Sequence, residues 1–323
     1  MKIFLVVLLI LILTSCNSGE GIDTVVTLVD MNKLELTPVT KKDEIHDNPK
    51  TDISSIHNKN DRFDEEGITI NHSEYTVSET KQNKLTEILN KYKFDAGIYL
   101  IDLDTKMSLG YNADMKFSTA STVKAGYALY CFNQIAVGHA KFTDLMTFRE
   151  KHLITGSGDT QNSEFGTVFT IRALLYRMLY NSDNVAYYML LDFFGFDGYN
   201  AMMKQIGCEH EISNADKWGN YSPHELGLIW EAIYNFKDTC DEGKLLWDYL
   251  TNNLYNELKD TLKYDVIAHK SGWNPVGYHD AGVVFGVRDY IAVIMTRAGK
   301  NLCLYELIRW VDEVVIEYDD WLV

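Results

Sequence analysis

Residues 117–132 read Phe117-Ser118-Thr119-Ala120-Ser121-Thr122-Val123-Lys124-Ala125-Gly126-Tyr127-Ala128-Leu129-Tyr130-Cys131-Phe132. A short polar approach runs into an unbroken apolar segment, the pattern of a helix buried on most of its circumference. Ser121 and Lys124 stand at its start. Residues three apart share a helix face, with Cβ atoms about 5–6 Å apart, so the lysine can reach the serine hydroxyl. Burial and the positive helix N-terminus both disfavour an ammonium there. A lysine so placed can act as a general base toward the serine. Taken alone, this S-x-x-K also describes a capping serine followed by a surface lysine.

Outward from this helix, the middle of the chain is rich in helical patterns: 122–134, 170–180, 184–193, 223–236 and 244–254. Strand-like runs lie on either side of it. Before it, 78–92 has helical spacing, 96–103 is strand-like, and 107–111 fits as a hairpin partner. After it come runs at 266–273, 281–287 and 290–297, then a closing helix with Leu304, Leu307, Ile308, Val311, Val314, Val315 and Tyr318 on one face. Strands at both ends and helices between predict an α+β fold, an αβα sandwich. Its antiparallel sheet has about five strands, built from both chain ends and flanked by helices, with an all-helical subdomain inserted. The expected division is 75–117 and 261–323 for the sheet part and 118–260 for the helical part.

Two further motifs follow in order. Ser182-Asp183-Asn184 falls between two helical segments, where Asp and Ser also serve as ordinary helix caps. Lys270-Ser271-Gly272 ends a strand, and a glycine there permits close backbone approach to a ligand. S-x-x-K on a helix, S-D-N in the helical section and K-S-G on a strand together resemble the penicillin-recognising serine acyl-transfer superfamily. The F-x-x-A-S-T-x-K form around Ser121 is similar to the class A β-lactamase branch, and the resemblance spans residues 75–323.

That resemblance implies roles. Ser121 is the expected nucleophile of an acyl-enzyme, Lys124 its activator, and Ser182 the proton relay to the departing nitrogen. Asn184 donates to a substrate amide. Lys270 and Ser271 take the substrate carboxylate, and the N–H groups of Ser121 and Trp273 form an oxyanion hole. Trp273 is bulky for a cleft and is expected to narrow it. The family requires no metal or other cofactor. Implied substrates are β-lactams or peptidoglycan-like D-Ala-D-Ala amides and esters.

One departure stands out. The class A loop resembling W-E-P-E-L-N carries the glutamate that activates the deacylating water. Here residues 216–223 read Asp-Lys-Trp-Gly-Asn-Tyr-Ser-Pro, with no glutamate between Trp218 and Asn220. Glu209, Glu211 and Glu225 are near in sequence but at other spacings. Slow deacylation is therefore expected, since general-base assistance contributes about 10²–10⁴-fold. The alternatives are a penicillin-binding or sensing lipoprotein that is acylated with negligible turnover, and a non-catalytic scaffold for a partner. Retention of every motif residue argues against the scaffold.

The N-terminus predicts export. Lys2 precedes an apolar run at 3–13, which as a helix is about half the length needed to cross a bilayer. Leu13-Thr14-Ser15-Cys16 resembles a bacterial lipobox, with Cys16 lipidated. Residues 1–15 are thus the expected signal peptide and 16–74 a tether, polar and poor in aromatics. The expectation is a monomer, anchored to the bacterial cell membrane through Cys16 and facing outward. The chain has 323 residues and a formal charge of −16, a field that repels phosphate backbones and argues against nucleic acid. Of five cysteines, Cys131 and Cys303 sit in apolar surroundings and read as buried thiols. Cys208 and His210 lack a second ligand pair for zinc.

Overall fold

The computed structural model describes residues 62–63, 68–71, 91–92, 95–299 and 302–316. The signal peptide, Cys16 and most of the 78–92 helix lie outside them, as does Tyr318. All described residues belong to one unit, His57–Val323.

In chain order, the first strands are β1 (Arg62–Phe63), β2 (Ile68–Asn71), β3 (Ala96–Asp102) and β4 (Ser108–Tyr111). β5 (Phe117–Ser118) leads through a 3-10 turn, Ala120–Thr122, into α1 (Val123–Ala136). Then come β6 (Leu145–Thr147), β7 (Val168–Thr170), α2 (Ile171–Tyr180), α3 (Asn184–Phe194) and α4 (Asp197–Ile206). β8 (Asn220–Tyr221), α5 (Pro223–Phe236), α6 (Asp241–Thr251) and α7 (Glu257–Leu262) complete the helical section. The chain returns as β9 (Val266–Asn274), β10 (Gly277–Phe285), β11 (Asp289–Thr296) and α8 (Cys303–Ile316).

The main sheet is antiparallel with strand order β1-β2-β4-β3-β11-β10-β9. Strands from both chain ends meet where β3 pairs β11, Ile98 opposite Ile294. Strands β3, β4, β9, β10 and β11 match the expected sheet. β1 and β2 extend it to seven, because β2 hydrogen-bonds along β4 from Ile68 opposite Tyr111 to Asn71 opposite Ser108. Residues 62–71 were expected in the tether. Their apolar pattern is too short to signal strands, and pairing with an existing sheet edge makes them so.

Helices cover both faces. β11 is therefore buried almost throughout, and Ile291-Ala292-Val293-Ile294-Met295 reads as a continuous apolar run rather than an alternating one. On one face α8 presents Leu304, Leu307, Ile308, Val311, Val314 and Val315 to a core with Ile98, Ile267 and Ile294. This i, i+3, i+4 stripe is the one its sequence predicts. On the other face α5 and α1 pack, and α1 is buried at twelve of its fourteen residues. That burial fixes the 3-10 turn carrying Ser121 against the sheet edge. α4 was not expected, although Tyr199, Met202 and Met203 form its buried stripe and left-handed Gly207 ends it. The thiols of Cys131, Cys208, Cys240 and Cys303 are unbridged. Cys131 is buried as expected, whereas Cys303 is only partly so.

His279 ties β10 to β5. Its Nε2–H donates to Ser118 O at 2.8 Å and its Nδ1 accepts from Thr296 N at 3.1 Å. Both ring nitrogens are committed to a neutral tautomer, and burial pushes the imidazole down to about 4. The unfolded chain takes up this proton near 6.5, so stability is intact above that pH and is lost as pH falls toward 4. The expected loss from this group is about 3 kcal/mol between pH 7 and pH 4. Urea unfolding at the two pH values checks it: the drop should be smaller by that amount in His279→Gln than in wild type.

Candidate active site

The three motifs converge on Lys124. It is fully buried in the first turn of α1. Its Nζ lies 3.1 Å from Ser121 Oγ and 3.2 Å from Ser182 Oγ, and it donates to Ser182 O at 2.6 Å and Asn184 Oδ1 at 2.7 Å. Burial, then the neighbouring Lys270 ammonium, holds Lys124 well below the usual lysine range, with Asp183 acting in the opposite direction. A neutral amine keeps two hydrogens, which the Ser182 carbonyl and Asn184 Oδ1 absorb. The lone pair is then left for a serine hydroxyl.

Local backbone strain accompanies both serines. Ala120, just before Ser121, has φ +47°, and Ser182 itself has φ +56°. L-residues rarely adopt such angles, and the surrounding structure must enforce them. Asp183 supplies part of that enforcement. Its carboxylate caps α3 through Ala186 N at 2.8 Å and accepts from Thr160 N at 2.8 Å. The capping reading of S-D-N is thus correct for Asp183, while Ser182 and Asn184 face Lys124.

The loop Gly156-Ser157-Gly158 carries no sequence motif yet packs directly on this segment. Asn184 N donates to Ser157 O at 3.0 Å, and Asn184 Nδ2 to Thr155 O at 3.3 Å. A Cβ on Gly158 would stand 2.3 Å from the Asp183 carboxyl. The two left-handed glycines, φ +126° and +93°, were the available signal.

β9 brings the third motif. Lys270 and Ser271 are both buried, and Lys270 Nζ donates to Ser271 O at 3.0 Å. Gly272 permits a close approach of the strand to the nucleophile's own turn. A Cβ there would stand 2.5 Å from Ser121 N and 2.8 Å from Thr122 N. Trp273 follows, 52% exposed.

The segment 208–222 closes the floor. Thr119 N donates to Gly219 O at 3.2 Å, and Thr119 Oγ1 donates to Trp218 O. Tyr187 OH donates to Lys217 O at 2.6 Å. The Trp218 ring centre then lies 5.2 Å from Lys124 Nζ, with the Tyr187 ring at 5.9 Å. Two acids in and next to this segment, Asp216 and Glu225, are engaged by other groups. Asp216 accepts from Trp218 N and Gly219 N. Glu225 completes the α5 capping box with Ser222, accepts from Glu209 N at 2.9 Å, and pairs with Lys116 at 2.7 Å. These partners, though opposed by burial, hold its carboxyl below the usual glutamate range. Sequence reasoning placed Trp218 in the loop but could not place its ring over the lysine.

Known proteins share this fold. The sequence profile of the beta-lactamase enzyme family matches residues 80–313. The chain belongs to that family.

This family member is 28% identical to Beta-lactamase ROB-1 of Haemophilus influenzae over 230 residues, 67% of this chain and 72% of the relative. It is 27% identical to a beta-lactamase of Bacillus amyloliquefaciens over 245 residues, 71% and 76% of the two chains. Among solved structures, a point mutant of PBP-A, an acyl-enzyme complex with penicillin-G, superposes with a TM-score of 0.68. That match has 23% identity and covers 75% of this chain and 97% of PBP-A. A beta-lactamase from Sphaerobacter thermophilus gives 0.66 at 16% identity, covering 75% and 98%. At such identities these two show the common α+β fold. The protein is a serine beta-lactamase-like hydrolase.

Proposed function

We propose that the protein is an exported, lipid-anchored serine acyl hydrolase that forms an acyl-enzyme at Ser121 with β-lactams or D-Ala-D-Ala-type amides and esters, and that releases the acyl group slowly. The observation that carries this reading is Lys124, buried and shared between two serine hydroxyls, with an indole rather than a carboxylate beside it.

The reaction follows from these contacts. Neutral Lys124 takes the Ser121 hydroxyl proton as Oγ bonds to the substrate carbonyl carbon. The developing oxyanion is held by the N–H groups of Ser121 and Trp273. As the carbon–nitrogen bond breaks, Ser182 gives its proton to the departing nitrogen and recovers one from Lys124, which ends neutral. Asn184 has one amide hydrogen beyond its bond to Thr155 O, available to the substrate amide carbonyl. Lys270 and Ser271 take the substrate carboxylate. Release of the acyl group needs an activated water, and the carboxylates of Asp216 and Glu225 accept from backbone N–H groups, Glu225 also pairing with Lys116. The lipobox at Cys16 and the apolar run before it support anchoring outside the cytoplasmic membrane.

Intact-mass measurement of protein mixed with penicillin tests the reading. The expected result is a stoichiometric adduct, mapped to the peptide with Ser121, that persists for minutes or longer. No adduct, or one elsewhere, overturns acylation at Ser121. Turnover at hundreds per second overturns slow release.

A further inference from the structure

Behind β9, on the face away from Ser121, lies a second cluster of titratable groups. His269 and Asp280 are completely buried, with Nδ1 of the imidazole donating to Oδ2 at 2.9 Å. Asp280 also accepts from Leu258 N and Ala281 N, each at 2.9 Å. Glu257, 6% exposed, accepts from Tyr278 OH at 2.7 Å, and that hydroxyl lies 3.0 Å from Tyr305 OH. The other Glu257 oxygen is buried and accepts nothing among the described residues. Of the two acids only Asp280 is bonded to His269, and a buried carboxylate is expensive, since charge taken from water is repaid only by a counter-charge.

The counter-charge they lack is one residue away. Alternation along β9 puts His269 behind the strand and Lys270 in front. In front, Lys270 has Lys124 of α1, whose burial favours the neutral amine, and forms no ion pair among the described residues. The buried face of α6 against β9 offers Leu246, Tyr249 and Leu250. The carboxylates that favour its ammonium are Glu257 of α7 and Asp280 of β10. His279 of β10 is neutral, and the His269 imidazole is turned to Asp280 behind the strand.

We propose that Asp280 and Glu257 are positioning residues that act through the strand to keep Lys270 charged for a substrate carboxylate. This rests on the reading that Lys270 meets that carboxylate. The same arrangement reconciles an acid-rich protein with an anionic substrate: the negative charge is placed behind the strand, where it supports the cation without facing the cleft.

Burial lowers Lys270 to about 8 despite these acids. Its charge, and with it capture of a carboxylate, is therefore lost as pH rises through that value. Lysine side-chain ¹³C NMR of the full domain gives the Lys270 midpoint, assigned by its absence in Lys270→Ala. Removing one nearby opposite charge shifts a midpoint by about one unit or more. A downward shift of that size is expected in Asp280→Asn and, with a different fold risk, in Glu257→Gln. Tyr278→Phe removes a hydrogen bond but no charge and should leave the midpoint in place. Acylation at pH 8 by penicillin-G should fall about fivefold in Asp280→Asn, with acylation by its methyl ester unchanged. Unmoved midpoints in both acid variants, or equal loss with the ester, overturn the proposal. Wild-type protein that forms no adduct with either compound overturns the functional reading instead, and the midpoints still decide whether the acids hold the Lys270 charge.

Discussion

Acylation of Ser121 by penicillin is expected to vanish in Ser121→Ala and to slow by about 10²–10⁴-fold in Lys124→Ala, the usual contribution of a positioned general base. The basis is the 3.1 Å approach of Lys124 Nζ to the hydroxyl together with burial that favours the neutral amine. Lys124→Arg should not restore the rate, because a guanidinium keeps its proton and has no lone pair to offer. The sign of the pH dependence follows. Acylation rises as Lys124 loses its proton, below the usual lysine range, and falls again as Lys270 discharges near 8. In Lys124→Ala the rising limb should disappear while the falling limb stays. Rates from the growth of the adduct mass across pH check both. An alanine variant that acylates at the wild-type rate would remove Lys124 from the chemistry. Melting temperature serves as the control, since Ser182 O and Asn184 Oδ1 lose a donor in that variant.

Trp218→Glu is expected to shorten the lifetime of the penicillin adduct by about 10²–10⁴-fold, again the range for general-base assistance. The indole stands 5.2 Å from Lys124 Nζ, so a carboxylate from this position would face the lysine and hold a water between. The loop backbone should survive the change, because it is held by Thr119, Tyr187 and Asp216 through main-chain atoms. A second effect opposes the first. The new carboxylate favours the Lys124 ammonium, so the rising limb of acylation moves to higher pH. Decay of adduct mass after removal of free penicillin measures the first effect, and the pH profile of adduct formation the second. An unchanged lifetime would mean that the missing carboxylate is not what makes release slow.

Much of the fold was legible because its signals are local. Apolar spacing drew the α8 stripe, the buried run of β11 and the largely apolar α1, and the S-x-x-K, S-D-N and K-S-G residues stood out by identity. What failed were elements with little apolar surface of their own. β1 and β2 exist through pairing to β4, and the Gly156–Gly158 loop matters through what it touches. α7 is six residues long, too short for periodicity to register, yet it carries Glu257 to the back of the sheet.

The sequence by itself determined which groups could do chemistry and that they lie on a helix start, a helix junction and a strand. Tertiary structure decided what those groups meet. Lys124 and Asn184 are 60 residues apart, and the Trp218 ring and the Asp280–Glu257 pair reach the two lysines from other elements again. Local periodicity carries no information about such distances. They are set by how the sheet and the helical section close on each other, and that closure selects the charge of each lysine by excluding water from one side and placing carboxylates on the other.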